Sequence, residues 1–207
     1  ATTTDFRSFH RLGPVMPPDD KDAAVFPRRF NGRYAMIHRP VGAGSHGAHI
    51  WLSQSPDLTH WGDHHVLIPA RKGAWWDANK IGLSPPPLET AEGWLILYHG
   101  VRHTPGGCLY RLGLALLDLE KPWEVIRRSD DWVFAPQMPY ERHGDVNGVV
   151  FPCGWIIDQA ADEIRMYYGG ADSCLALATG KISEILDYLR HSPVPQRPRQ
   201  PRLVPFN

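Results

Sequence analysis

Val25-Phe26-Pro27 leads through the turn Asn31-Gly32 into Tyr34-Ala35-Met36-Ile37-His38-Arg39, and Pro85-Pro86-Pro87 leads through Glu92-Gly93 into Trp94-Leu95-Ile96-Leu97-Tyr98-His99. Pro27 stands twelve residues before Arg39, and Pro87 stands twelve before His99. A third copy opens at Val150-Phe151-Pro152 and ends, after a longer turn, at Tyr167-Tyr168-Gly169. Each copy runs on into another strand-like segment, over 49–53, 110–117 and 174–178. A repeat of about 60 residues built from strands and tight turns has the length of a four-stranded propeller blade with generous loops.

Working outward, strand-like runs cover 23–30, 33–39, 48–53, 94–99, 109–117, 132–135, 149–151, 155–157, 164–168 and 174–178. Only 181–190 reads as a helix, because Ile182, Ile185, Leu186 and Leu189 fall on one stripe. Pro193, Pro195, Pro198, Pro201 and Pro205 make 192–207 an extended Pro-rich tail. At the start, Asp5-Phe6-Arg7-Ser8-Phe9 resembles Asp57-Leu58-Thr59-His60-Trp61, and each precedes an apolar pair, Pro14-Val15 or Val66-Leu67, expected in an outer strand. That register puts residue 1 inside a blade. The expectation is an all-β fold of about three blades plus a fragment, with a short C-terminal helix. Residues 1–191 would be a partial propeller domain. Propellers close with four or more blades, so a piece of a longer protein is expected.

Composition agrees. Of 207 residues 43% are apolar, enough for a core. Lys plus Arg number 22 and Asp plus Glu 22, so the net charge is zero and a basic nucleic-acid footprint is not expected. The 19 Gly and 20 Pro demand many turns, and the eight Trp suit an all-β core and sugar-binding faces. No apolar run reaches the length of a membrane span. Cys108, Cys153 and Cys174 have no CxxC spacing and read as buried free thiols of a reducing, cytoplasmic setting.

Among motifs, Gly42-Ala43-Gly44-Ser45-His46-Gly47 fits GxGxxG but precedes a strand-like run rather than a helix, so it reads as a loop. His46, His49, His64 and His65 lack metal-ligand spacing and read as surface or core histidines. The repeat-phased polar residues say more. Arg39 and His99 end equivalent strands and should point to one centre, with Lys80 just before the Pro85–Pro87 landmark and Asp172 just after the third copy. Arg, Lys and His together suit an oxyanion, phosphate above all. Asp172 could accept from sugar hydroxyls. The alternative for each residue is a satisfied structural polar group.

At these residues the sequence resembles the β-mannoside phosphorylases of glycosidase family 130. The likeness is carried by Lys21-Asp22-Ala23-Ala24-Val25-Phe26-Pro27, Ile37-His38-Arg39-Pro40, Ser55-Pro56-Asp57-Leu58, Trp76-Asp77 with Lys80-Ile81-Gly82, and Tyr98-His99-Gly100. Tyr110-Arg111-Leu112-Gly113, Val150-Phe151-Pro152-Cys153-Gly154 and the run from Tyr167 to Asp172 complete it. The resemblance implies a five-bladed β-propeller enzyme. Such enzymes cleave β-mannosides with inorganic phosphate, invert the anomeric centre and release α-mannose 1-phosphate. It implies phosphate binding by Arg39, Lys80, His99 and Tyr110. Lys21 stands where members often carry an Arg, a change that keeps charge but loses the guanidinium fork. It implies sugar binding by Asp172 and, more weakly, Asp77, which could equally hold Lys80 in place. No metal or organic cofactor is implied, only phosphate as co-substrate, and homo-oligomer formation is left open.

The family's general acid, an Asp in a Glu-Asp-Pro-Arg motif, has no counterpart in this sequence and is expected upstream of it. Without that proton donor the chain alone would be a poor catalyst. Two alternatives stand beside phosphorolysis. One is a hydrolytic β-mannosidase of the same fold, whose members replace the basic cluster with carboxylates. The other is a non-catalytic carbohydrate-binding fragment.

Overall fold

The computed structural model describes residues 1–41 and 47–195. Strands dominate, and they form three antiparallel sheets in chain order. The first contains β1 (Asp20–Val25), β2 (Tyr34–Pro40), β3 (Ile50–Ser55) and β4 (Gly62–Ile68). The second contains β5 (Lys80–Leu83), β6 (Leu88–Thr90), β7 (Gly93–Thr104), β8 (Gly107–Leu117) and β9 (Val125–Arg128), with β5 and β6 both pairing along β7. The third contains β10 (Val150–Asp158), β11 (Glu163–Gly170) and β12 (Cys174–Lys181). A short helix, α1 (Pro139–Arg142), precedes the third sheet, and α2 (Ile182–Arg190) follows it.

The middle sheet is buried on both faces, which is why Trp94–Tyr98 is apolar without alternation. Trp94, Ile96 and Tyr98 pack toward Phe26, Phe30, Ile37, Ile50 and Leu52 of the first sheet and its turn. Leu95 and Leu97, with Leu112, Leu114 and Leu116 of β8, pack toward Val150, Tyr168, Leu186 and Leu189. Each fully buried side chain of this kind contributes about 1.5–3 kcal/mol, so two cores clamp the same sheet. Phe26 meets Trp94 edge to face, with ring centroids 5.0 Å apart. The first two sheets are also stitched by backbone: Ala48 N–H donates to Asn79 O, and Ile81 N–H donates to Ala48 O. This contact fixes β5 beside the segment that leads into β3.

Most expected strands are present, with informative differences. The 23–30 run stops at Val25, because Phe30 and Arg33 close a turn on each other. The runs 149–151 and 155–157 are one strand, β10, with a register shift between Pro152 and Gly154. Residues 132–135 form no strand; Phe134 makes a single bridge to Leu112. The Asp5 and Asp57 stretches do form the same turn. Each carboxylate accepts from the N–H groups two and three residues on, and Phe6 and Leu58 both have left-handed backbones (φ 55° and 70°). Val66-Leu67 lies in β4, whereas Pro14-Val15 lies in no strand and has none beside it among the described residues.

The helix expected over 181–190 is α2. The three cysteines are free but exposed, not buried: Cys108 sits at the β7–β8 turn, Cys153 faces out of β10 and Cys174 begins β12. Gly42–His46 of the GxGxxG run, and 196–207 of the tail, lie outside the described residues. Within the described residues no helix is long and apolar enough to cross a membrane.

Candidate functional site

β1 and β2 pair so that Lys21 lies opposite Arg39, and β5 and β7 pair so that Gly82 lies opposite His99. The repeat thus places Arg39 and His99 at matching points of neighbouring sheets, but only Arg39 lies at a strand end, since β7 runs on past His99 to Thr104. Both are buried, at 4% and 1% exposure. Lys80, half-buried, opens β5 and lies opposite Val101, which in turn pairs with Tyr110 of β8. The Lys80 ammonium lies 5.7 Å from the Tyr110 ring centroid, within cation–π range. The His99 ring stacks at 6.4 Å from Tyr110 and tilts against Phe151 of the third sheet at 4.8 Å. All three sheets therefore meet at His99.

Burial, then the charges of Arg39 and Lys80, push the His99 pKa down to about 3. His99 is therefore a neutral imidazole at pH 7, with one N–H to donate. Its Nδ1 lies 3.3 Å from Ser84 Oγ. Positive charge beside His99 comes from Arg39 and Lys80, while Lys21 is exposed on the other face of β1, and neutral His99 offers a directional hydrogen bond rather than charge.

Sequence reasoning missed Asp22. Its carboxylate Oδ2 lies 2.7 Å from Arg39 Nε and 3.5 Å from His99 Nε2. The Arg39 contact is one of charge, since neither Nε nor Oδ2 has an aligned hydrogen-bond partner. Burial raises the Asp22 pKa, opposed by the charges of Arg39, Lys21 and Lys80. Alternation along β1 sets Lys21 and Asp22 on opposite sides, Lys21 exposed and Asp22 turned inward with Asp20 and Ala24. The pairing with β2 shifts register between Lys21 and Ala24, and Asp22 has φ 55°. Behind Arg39, His38 is locked between Asp20 (2.7 Å) and Ser53 (2.6 Å), and Ser53 also meets His64 at 2.6 Å.

The other two expected residues lie apart from this cluster. Asp172 is exposed in the β11–β12 turn with φ 52°. Its turn is held from the 145–146 segment, where Asp145 N–H donates to Ser173 Oγ and Val146 N–H donates to Ala171 O. Asp77 does not face the site. It is wholly buried, and Oδ2 takes Arg71 at 3.0 Å, Arg128 at 2.8 Å and the Tyr98 hydroxyl at 3.1 Å. Two guanidinium groups that must be neutralised away from water explain why a carboxylate sits there. Asp77 is a core ion-pair node, and neither a sugar contact nor the Lys80 support expected from the sequence. Among the described residues no His, Cys, Asp and Glu side chains are grouped to hold a metal ion.

A family pattern described as beta-1,4-mannooligosaccharide phosphorylase, glycoside hydrolase family 130, matches residues 1–191. The chain belongs to glycoside hydrolase family 130. It is 39% identical to the Beta-1,4-mannooligosaccharide phosphorylase of Ruminococcus albus, over 94% of this chain and 58% of that protein. The solved Beta-1,2-Mannobiose phosphorylase of Listeria innocua, in complex with beta-1,2-mannobiose, superposes with a TM-score of 0.83. It is 40% identical and spans 91% of this chain and 52% of that one. A further solved structure comes from work on family-130 glycoside hydrolases that target beta-1,2 mannosidic linkages in Candida mannan. It is 27% identical, with a TM-score of 0.61 over 75% of this chain and 45% of that chain. The chain thus spans about half the length of these relatives.

Proposed function

We propose that this chain supplies the phosphate-binding half of a β-mannoside phosphorylase. Its three sheets would be blades of the family's five-bladed propeller, and its basic cluster would hold inorganic phosphate below the anomeric carbon of a mannosyl unit. The observation that supports this reading is that Asp22 Oδ2 lies 2.7 Å from Arg39 Nε and 3.5 Å from His99 Nε2, with Lys80 set over the Tyr110 ring that stacks on His99. The names of the relatives support it further. Arg39 and Lys80 would neutralise the dianion, while His99 and Tyr110 would donate hydrogen bonds and orient it. Lys21, at the exposed edge of β1, would add a further charge.

In the reaction a phosphate oxygen attacks the anomeric carbon from the face opposite the leaving group. The glycosidic C–O bond breaks, and the departing oxygen takes a proton. The products are α-mannose 1-phosphate and a sugar shortened by one mannosyl unit. Phosphate is already an anionic nucleophile at neutral pH, so no general base is required, and the cluster contributes by positioning and charge neutralisation. The proton donor would come from outside these 207 residues. Asp172 would hold hydroxyls of the mannosyl unit.

Incubating the full-length parent protein with mannobiose, with and without phosphate, tests this. Mannose 1-phosphate formed only when phosphate is present is the expected result. Free mannose formed without phosphate would establish hydrolysis instead, and sugar binding with no turnover would leave a carbohydrate-binding module.

A further inference from the structure

Three features of the chain place one carboxylate inside the basic cluster. Asp22 lies with Asp20 and Ala24 on the inward face of β1, at a point of left-handed backbone. The carboxylate, 11% exposed, then lies 2.7 Å from Arg39 Nε and 3.5 Å from His99 Nε2. Gly82 leaves the room for it, since a Cβ there would stand 2.1 Å from Asp22 Oδ2 and 2.6 Å from His99 Cε1. Lys21 and Lys80 act on the same carboxylate. Asp20, the other acid nearby, is already paired with His38. Among the described residues Asp22 is therefore the acid set against these cations, and its Oδ2 is buried without an aligned donor.

We propose that Asp22 is an internal counter-ion lodged in the anion site, against which an incoming oxyanion must compete for Arg39 and the neighbouring cations. The charge at position 22 then sets how tightly the cluster takes phosphate. Desolvated carboxylate and phosphate a few ångströms apart repel strongly, because little water screens them. The resident carboxylate also keeps Arg39 from being a buried, unpaired cation while the site is empty. The inference rests on the cluster being an anion site, and it assigns to one residue the tuning of that site's affinity.

Calorimetric titration of inorganic phosphate into the wild-type chain, Asp22→Asn and Asp22→Ala at pH 7 tests it. Both variants should bind phosphate on the order of ten-fold more tightly than wild type. Asp22→Ala shows that the gain does not come from the new amide donor. Wild-type binding with equal or weaker binding in the variants would overturn the counter-ion while leaving the anion site standing. No phosphate binding in any of the three would overturn the anion site, and the counter-ion with it. A measurement on the wild-type chain avoids any folding defect in the variants: the Asp22 13Cγ resonance should shift on saturation with phosphate. A resonance unmoved at saturation would also overturn the proposal.

Discussion

Replacing Lys80 by alanine separates ligand binding from folding more cleanly than any other change in the cluster. Among the described residues the Lys80 ammonium makes no ion pair; its neighbour is the Tyr110 ring face at 5.7 Å. It adds to the positive field that depresses the His99 pKa and acts on Asp22. Deleting it removes a weak cation–π contact and a positive charge that favours the Asp22 carboxylate. Unfolding free energy should therefore stay within about 0.5 kcal/mol of wild type in urea. Phosphate binding should lose one charge-assisted hydrogen bond, about 1.5–3 kcal/mol, or about 10- to 150-fold in Kd. Calorimetric phosphate titration and urea denaturation at pH 7 give the two numbers. An unchanged phosphate Kd would remove Lys80 from the anion site. A loss of binding accompanied by an equal loss of stability would make it a structural residue.

Three further outcomes are expected. His99 has a folded pKa near 3, below its usual 6.5, so the unfolded chain takes up a proton that the folded chain refuses. Stability should be unaffected by this group above pH 6.5 and fall by about 2 kcal/mol on going down to pH 5; the His99→Gln variant should show a shallower slope, and an identical slope would refute the assignment. Asp172→Asn, which suits the left-handed backbone there, should weaken mannobiose binding roughly ten-fold and leave phosphate binding and the melting curve alone; normal sugar affinity would take Asp172 out of the site. Asp77→Ala should cost about 3–5 kcal/mol in urea denaturation by stranding Arg71 and Arg128, and a cost below 1 kcal/mol would contradict its role as the core node.

The repeat was legible because its landmarks are covalent. In two of the copies a proline before the apolar strand and a polar residue within it stand twelve residues apart, whatever the packing does. From them came the matched placement of Arg39 and His99. Lys80 was found by its distance from a proline, although its own strand, the four residues of β5, is too short to carry a periodic signal. Asp22 was hidden because the family likeness drew attention to its neighbour Lys21, whereas the alternation along β1 leaves Lys21 exposed and turns Asp22 inward. The role of Asp77 was hidden for a different reason: Arg71 and Arg128 approach it from 6 and 51 residues away, and no local pattern encodes such a meeting. Buried cysteines were a compositional expectation, and composition says nothing about which way a residue at a turn or sheet edge points. The neutrality of His99 depends on its depth and on two neighbouring cations, a sum that only coordinates reveal.

The place where the three sheets meet has a mechanical side. Arg39 rides on the first sheet, Lys80 and His99 on the second, and Phe151 on the third. Their spacing is set by how deeply each sheet beds against the next. Apolar side chains far from any ligand thus act as shims for the charges, and a small slip along either seam detunes the cluster well before the chain loses its shape.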